Sequence, residues 1–254
     1  MVGTWEFVRP RPATPEQGYK PVNVFVIRHG ETAWSLSGQH TGTTDIPLTD
    51  NGRRLAERLR PVLAKETLTR VFVSPMQRAR ETCELAGLSD AAVIDPDLAE
   101  WNYGEYEGLT PKQIHEEAPG WLIFQDGCPG GEPPEQVGAR VDRVIARARA
   151  ADGDVALFAH GHVLRVLVAR WIGSPAGAGQ HFLLDTGTLC VLGYYRDVPA
   201  SEDLERASAG RTAEGSCPAR RNTLAAEREK CHNPIPSVRS PETGTTPSCL
   251  ISMA

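Results

Sequence analysis

The chain has 254 residues and carries 27 Lys and Arg against 32 Asp and Glu, a formal net charge of -5. This length is enough for one full hydrophobic core with tails. The negative balance excludes a global positive field that would draw the chain to nucleic acid or to an anionic membrane surface. No apolar run in the sequence reaches the roughly 20 residues of a membrane span. Any recognition of an anionic ligand must therefore depend on a local cluster of positive charge.

The two ends of the sequence differ in composition from its middle. Residues 1–21 are rich in proline and polar residues and predict a flexible extension. Residues 199–254 are polar and rich in Pro, Ser and Thr, which predicts a disordered tail. The first twenty residues show no apolar core of a secretory signal, so we expect a cytoplasmic protein. Six scattered cysteines show no CxxC spacing, which predicts free thiols with neither a zinc site nor disulfides.

Between these ends, over residues 22–198, strands alternate with helices. VFVI (24–27) is a short apolar run typical of a strand, and Thr49 can cap a helix that follows it. VFVSP (71–75) predicts a second strand, with Pro75 at the start of the helix that carries Arg78. Residues 95–134 are rich in turn signals, which predicts a long irregular stretch.

Regular elements return after residue 134. Apolar residues at helical spacing predict an amphipathic helix with most of its arginines facing away from the core: Val137, Val141, Val144, Ile145 and Ala148 on the inner side, and Arg140, Arg143, Arg147 and Arg149 on the other. VALFA (155–159) predicts a buried strand, VLRVLVARWIG a helix ended by Gly173, and TLCVLGYY a last strand. The alternation predicts a three-layer α/β sandwich with a mostly parallel central sheet and helices on both faces.

Polar residues follow three of these predicted strands. In sheets of this class, ligands bind outside the carboxyl ends of the strands, so RHG (28–30), SPMQRAR (74–80) and HGH (160–162) should converge. The RHG tripeptide alone is weak evidence for a catalytic site. A histidine satisfied by hydrogen bonds beside an ion-paired arginine is the more frequent case. His160 stands in a position equivalent to that of His29, so two imidazoles can meet at one edge of the sheet.

These residues suit phosphoryl transfer, which needs an in-line nucleophile and positive charge around three equatorial oxygens. Neutral His29 can attack phosphorus, and the guanidinium groups of Arg28 and Arg78 supply charge. His160 can hold a further positive charge against the transferring group. Glu100 is the candidate acid that protonates the leaving alkoxide. This set requires no metal and no cofactor. The rival candidates to Glu100 for the role of acid are Glu105 and Glu107.

Five blocks in this order, VIRHGETAW, LTDNG, SPMQRARET, EWNYGEYEG and FAHGHVLRVL, resemble the histidine phosphatase superfamily, in the branch that contains cofactor-dependent phosphoglycerate mutases. The resemblance spans Val22 to Tyr195 and implies a phosphoglycerate mutase-like fold. It also implies that His29 is phosphorylated and that Glu100 is the acid. The phosphate pocket that it implies is formed by Arg28, Arg78 and His160.

Three other functions remain open from the sequence. The HxH pair of His160 and His162 could chelate a metal, as in a metal-dependent phosphatase, although no Asp/His-rich partner motif lies nearby. The second alternative is a non-catalytic phosphate-binding module, and the third is a phosphoglycerate mutase-type phosphotransferase. Mutases of the family carry paired arginines in the insert before the second histidine. This chain has no Arg between Glu81 and Ala139, with Lys112 as the single lysine there, so hydrolysis is favoured.

Four further blocks, WSLSGQHTGTTDIPLTDNG, DGCPGGE, HGHVLRVLVARWIG and HFLLDTGTLCVLGYY, resemble the fungal sedoheptulose-1,7-bisphosphatase group and its bacterial relatives. This resemblance implies a sugar (bis)phosphate as substrate. His40, Thr41, Tyr103 and Arg165 match positions that line the sugar or second-phosphate pocket of that group, with His40 in place of an expected tyrosine. Gly161 is placed with them as a substrate-binding residue. The expected partner is a small phosphorylated metabolite, and the sequence leaves a homo-oligomer open.

Overall fold

The computed structural model describes residues 22–202, so the predictions for residues 1–21 and 203–254 lie outside the described residues. The strands in this range are β1 Val24–Arg28, β2 Leu68–Val73, β3 Ala92–Ile94, β4 Asp154–Ala159, β5 Leu189–Tyr195 and β6 Val198–Glu202. The α-helices are α1 Ala33–Ser37, α2 Asp50–Leu63, α3 Gln77–Leu85, α4 Pro111–Glu117, α5 Ile123–Asp126, α6 Pro134–Arg149 and α7 Gly161–Trp171. Short 3₁₀ turns lie at Ser89–Ala91, Pro96–Leu98, Gly104–Tyr106 and Ala176–His181.

The strands form one mixed sheet in the order β3-β2-β4-β1-β5-β6. β1 and β2 both pair in parallel with β4, and β3 pairs in parallel with β2, whereas β5 runs antiparallel to β1 and to β6. The mostly parallel sheet is therefore confirmed. The pairing register aligns the carboxyl ends of β1, β2 and β4, because Arg28 pairs with Ala159 and Val73 pairs with Phe158. This alignment brings the residues after β1, β2 and β4 to one edge.

Helices cover both faces of the sheet because strand side chains alternate between the faces. On one face, Val26, Leu157 and Ala159 join a buried cluster with the apolar residues of α6 and α7. On the other face, Ile27 and Phe158 pack with the buried side of α2 and α3. The predicted three-layer α/β arrangement is confirmed.

Local chemistry explains several helix ends. The Thr49 side chain accepts a hydrogen bond from the Gly52 backbone N–H and caps α2, as predicted. Pro75 precedes α3 by two residues, and Met76 is the residue before its first turn. After α7, Gly173 adopts a φ of +79°, a left-handed conformation that ends the helix where the sequence predicted.

Three predicted features need correction. Residues 95–134 are not wholly irregular, because they contain α4 and α5. Arg140 of α6 does not face away from the core, because its side chain is buried against Glu132. The domain end predicted at residue 198 falls at the start of β6, which pairs with β5 as far as Glu202, so the sheet continues beyond the predicted boundary.

Within residues 22–202, no helix is both long enough and apolar enough to cross a membrane. Cys83, Cys128 and Cys190 are buried free thiols. Burial raises the pKa of the Cys83 and Cys128 thiols to about 12, so both thiols are neutral near pH 7.

Candidate active site

A cavity of about 770 Å³ opens at the carboxyl ends of β1 and β4. Most of the residues predicted for the site line this cavity: Arg28, His29, His40, Thr41, Glu100, Tyr103, Gly161 and Arg165. Arg78 and His160 are not among the lining residues, and both are fully buried. The predicted residues therefore come together in two layers, one on the cavity wall and one behind it.

His29 leaves the end of β1 with its ring held in one orientation. Its Nδ1 lies 2.7 Å from the Gly30 carbonyl oxygen. A carbonyl can only accept, so Nδ1 carries the proton and Nε2 keeps its lone pair. Nε2 has no hydrogen-bond partner within residues 22–202, and His29 lines the cavity. Burial, with the positive charges of Arg78 and Arg28, holds the pKa of His29 well below its usual value, so the ring stays neutral and nucleophilic.

Arg28 places a guanidinium beside His29. One terminal nitrogen donates to the Leu184 carbonyl at 2.6 Å, whereas Nε is buried and has no hydrogen-bond partner among the described residues, 22–202. A Cβ on Gly161 would lie 3.1 Å from Cζ of Arg28, so the glycine lets the guanidinium rest against the start of α7. A buried unpaired N–H is costly, and an anionic ligand would satisfy it.

Arg78 and His160 form a buried pair behind the cavity wall. Arg78 Nε donates to His160 Nδ1 at 3.0 Å, so the proton of His160 sits on Nε2, which donates to Ser74 Oγ at 2.6 Å. Burial, followed by the charge of Arg78, holds the pKa of His160 well below its usual value. In this structure the ring is neutral because its Nδ1 accepts from Arg78, and the expectation that His160 holds positive charge against a transferring phosphoryl group stays a prediction. The terminal nitrogens of Arg78 donate to the carbonyls of Thr41, Gly42 and Thr44.

Glu100 lies on the cavity wall where the chain meets the start of α7. Its Oε1 accepts from the backbone N–H groups of Trp101 and Val163, both at 2.9 Å. Its Oε2 accepts from the N–H of His162 at 3.0 Å. The carboxyl group is thus fixed at a helix N-terminus, and Oε2 keeps a lone pair free of these donors.

The rival acids take other positions. Both carboxylate oxygens of Glu107 accept from the Gly42 backbone N–H, and Oε1 also accepts from Thr44, so this side chain holds the loop at residues 42–44. Glu105 is exposed. Neither residue lines the cavity, whereas Glu100 does.

A cluster of polar aromatic side chains lies beside these groups. His40 donates from Nδ1 to the Leu109 carbonyl at 2.9 Å, and its ring contacts Tyr103 at a centroid distance of 4.7 Å. The Tyr103 hydroxyl lies 2.7 Å from Nδ1 of His162, and His40 and His162 stack at 5.8 Å. Burial lowers the pKa of both histidines, so the cluster presents neutral hydrogen-bonding groups to the cavity. Thr41 lines the same wall.

Arg165 lies one turn along α7 and also faces the cavity. Its Nε and one terminal nitrogen donate to the carbonyls of Gly179 and Gln180, and its guanidinium lies 4.5 Å from the Phe124 ring centroid. It therefore supplies a second fixed positive charge, separate from that of Arg28.

Comparison with known proteins identifies the family. The family model described as the histidine phosphatase superfamily, branch 1, matches residues 24–206. The chain belongs to this superfamily.

Relatives of this histidine phosphatase include phosphatases. An acid phosphatase of Mycobacterium tuberculosis is 40% identical over 185 residues, which are 71% of this chain and 91% of that protein. The sedoheptulose 1,7-bisphosphatase of Saccharomyces cerevisiae is 40% identical over 181 residues, 58% of this chain and 66% of that protein. The solved structure of a functionally characterised open reading frame product from M. tuberculosis matches with a TM-score of 0.69 at 40% identity, covering 72% of this chain and 96% of that chain.

The HxH pair of this histidine phosphatase does not form a chelating pair. His160 precedes α7 and binds Ser74 and Arg78, whereas His162 lies inside α7 and binds Tyr103. In the part of the chain that the structure describes, no group of three or more His, Cys, Asp or Glu side chains is arranged to hold a metal ion.

Sequence reasoning missed two residues of the histidine phosphatase site. The sequence indicated His162 only as half of a possible chelating pair, but this residue lines the cavity and binds Tyr103. Ser74 accepts the Nε2 proton of His160, and its place directly after a predicted strand was the available signal. Its role depends on a partner 86 residues away, which the sequence pattern alone does not specify.

The stability of this histidine phosphatase should fall with decreasing pH. His29, His160 and His162 have folded-state pKa values well below about 6.5, the unfolded value, with burial as the first cause in each case. Below that pH the unfolded chain binds protons that the folded chain does not, so stability is lost as pH falls. We expect a loss of about 1 kcal/mol per histidine by pH 5.5. The free energy of unfolding, obtained from urea denaturation at pH 7.5 and at pH 5.5, measures this loss.

His162→Gln should reduce this pH dependence, because it removes one of the three groups. Equal free energies of unfolding at both pH values would contradict the prediction.

Proposed function

We propose that this protein hydrolyses phosphate monoesters through a phosphohistidine at His29, without a metal ion or cofactor. In the first step, His29 Nε2 attacks phosphorus, the P–O bond to the alcohol breaks, and Glu100 gives its proton to the leaving oxygen. In the second step, Glu100 takes a proton from water, the water oxygen attacks phosphorus and the P–N bond breaks. Inorganic phosphate leaves, and Glu100 is protonated again.

The observation that carries this proposal is that an imidazole nitrogen and a guanidinium N–H lie near each other, each without a hydrogen-bond partner among residues 22–202. His29 Nε2 keeps its lone pair because Nδ1 is bound to Gly30. Beside it, Arg28 Nε is buried and unpaired. A phosphoryl group bound here would satisfy Arg28 and present phosphorus to His29, which is the arrangement that phosphoryl transfer requires.

The proposed substrate is a sugar (bis)phosphate, a small phosphorylated metabolite. The cavity of about 770 Å³ is far larger than one phosphate group and can hold a phosphorylated sugar. His40, Tyr103 and His162 offer neutral donors and acceptors suited to hydroxyl groups. Arg165 supplies a second positive charge that suits a second phosphate. The 40% identity to the yeast sedoheptulose 1,7-bisphosphatase supports the same class.

The Arg165→Ala variant tests whether the substrate carries a second phosphate that binds Arg165. We expect it to raise KM for a sugar bisphosphate by about tenfold or more, because a charged contact to the second phosphate is lost, and to change KM for p-nitrophenyl phosphate by less than about twofold. The matched control is Arg170→Ala on the same helix, because Arg170 pairs with Asp142 and does not line the cavity. Steady-state kinetics on both substrates measure these values.

Equal changes in KM for the two substrates would exclude Arg165 as the second-phosphate residue. Isomerisation of 3-phosphoglycerate faster than every measured hydrolysis would instead favour the mutase alternative over the proposed phosphatase.

A further inference from the structure

Arg140 is a buried arginine that holds the segment carrying Glu100. It lies on α6 with a residue exposure of 8%. One terminal nitrogen donates to the carbonyls of Asp97 at 2.7 Å and Ala99 at 2.6 Å. The other donates to the carbonyl of Glu100 itself at 3.1 Å. Three backbone oxygens of one short segment thus converge on a single guanidinium.

The remaining donors of Arg140 bind Glu132 in a two-point ion pair. Nε lies 2.9 Å from Oε1 and Nη2 lies 3.1 Å from Oε2 of Glu132. Together with the three carbonyl contacts, this pair uses all five N–H groups of the guanidinium. A lysine ammonium has three donors around one nitrogen, so it cannot reproduce this arrangement.

Glu132 holds the same segment on the other side of Glu100. Its Oε2 accepts from the Asn102 backbone N–H at 2.9 Å, and its carbonyl accepts from the Trp101 ring N–H at 2.8 Å. Its own backbone N–H donates to the Asn102 carbonyl at 3.0 Å. The backbone is therefore fixed both before and after Glu100 by one buried ion pair.

Neither Arg140 nor Glu132 lines the cavity, so neither reaches a bound substrate. We propose that Arg140, paired with Glu132, is a positioning residue that sets the place of the Glu100 carboxyl group against the leaving oxygen. The inference rests on the proposed function, in which Glu100 is the acid. Proton transfer needs the donor within hydrogen-bond distance of its acceptor, so a small displacement of this segment weakens acid catalysis.

Nearby arginines make weaker candidates for this role. Arg143 and Arg147 bind the side chains of Asp97 and Asp95 rather than the backbone next to Glu100. Their side chains are 59% and 38% exposed, against 9% for Arg140. Water can replace much of what they supply, whereas the side chain of Arg140 is buried.

Arg140→Lys tests the proposal with two phosphate esters. An alkyl phosphate needs a proton on its leaving oxygen, whereas 2,4-dinitrophenyl phosphate releases an anion that needs none. The measured quantity is kcat/KM, which reports transfer of the phosphoryl group to His29 and not the later hydrolysis step, in which Glu100 acts as a base on every ester. We expect kcat/KM for the alkyl phosphate to fall by about tenfold or more, and kcat/KM for the dinitrophenyl ester to fall by less than about threefold. Arg170→Lys is the matched control, since Arg170 makes a similar two-point pair with Asp142 away from Glu100.

Glu132→Gln is the second variant, and it should show the same leaving-group dependence, because it weakens the pair while keeping the side-chain shape. Thermal melting of each variant shows that the protein used in the assay is folded. Equal losses on the two esters for both variants would overturn the positioning role while leaving phosphatase activity in place. A parent protein that hydrolyses neither ester would overturn the proposed function itself.

Discussion

His29→Ala should lower kcat for phosphate ester hydrolysis by at least about 10⁴-fold, because it removes the proposed nucleophile. Nε2 is the ring nitrogen with a lone pair available for attack, since Nδ1 donates its proton to the Gly30 carbonyl. The parent protein, mixed with a ³²P-labelled substrate and denatured in alkali, should retain label as phosphohistidine. The same sample denatured in acid should lose the label, since a P–N bond to imidazole is labile in acid.

The control for this variant is His115→Ala. His115 is an exposed histidine that lines the outer part of the same cavity and binds the Trp121 carbonyl. We expect this variant to keep at least about a tenth of the parent kcat and to retain the alkali-stable label. Hydrolysis by His29→Ala at the parent rate would exclude His29 as the nucleophile.

The sequence was sufficient to place the residues that follow the strands. The apolar strands ending at Arg28 and Ala159 predicted that His29 and His160 meet at one sheet edge, and the register of β1 and β4 confirms it. The two rings lie 5.1 Å apart between centroids. This success has a physical reason, because parallel pairing fixes where strands end relative to one another.

The sequence was insufficient where a role depends on contacts between distant segments. Arg140 has the helical spacing of a solvent-facing residue, yet it is buried because Glu132 and three carbonyls offer it partners. The neutral state of His160 in this structure likewise depends on Arg78, which donates to Nδ1 from a distant segment of the chain. In both cases the charge state or exposure is set by hydrogen bonds that no local pattern encodes.

Glu100→Gln should lower kcat/KM for alkyl phosphates by about 10²–10⁴-fold, because a carboxamide cannot protonate the leaving oxygen. The loss should be much smaller for 2,4-dinitrophenyl phosphate, whose leaving group needs no proton. Gln is the least disruptive change, since its carbonyl oxygen can still accept from Trp101 and Val163. Its amide group would then face the His162 N–H, so thermal melting is needed to separate lost stability from lost chemistry.

Glu107→Gln separates the acid from its rival. Glu107 binds the backbone of Gly42 and Thr44, so this variant should loosen that loop and lower activity on both esters by a similar factor. The ratio of the two kcat/KM values is therefore the decisive measurement, since only loss of the acid changes it. A changed ratio in Glu107→Gln with an unchanged ratio in Glu100→Gln would move the acid to Glu107. The positioning role proposed for Arg140 and Glu132 would then fail as well, because that pair holds the backbone at Glu100.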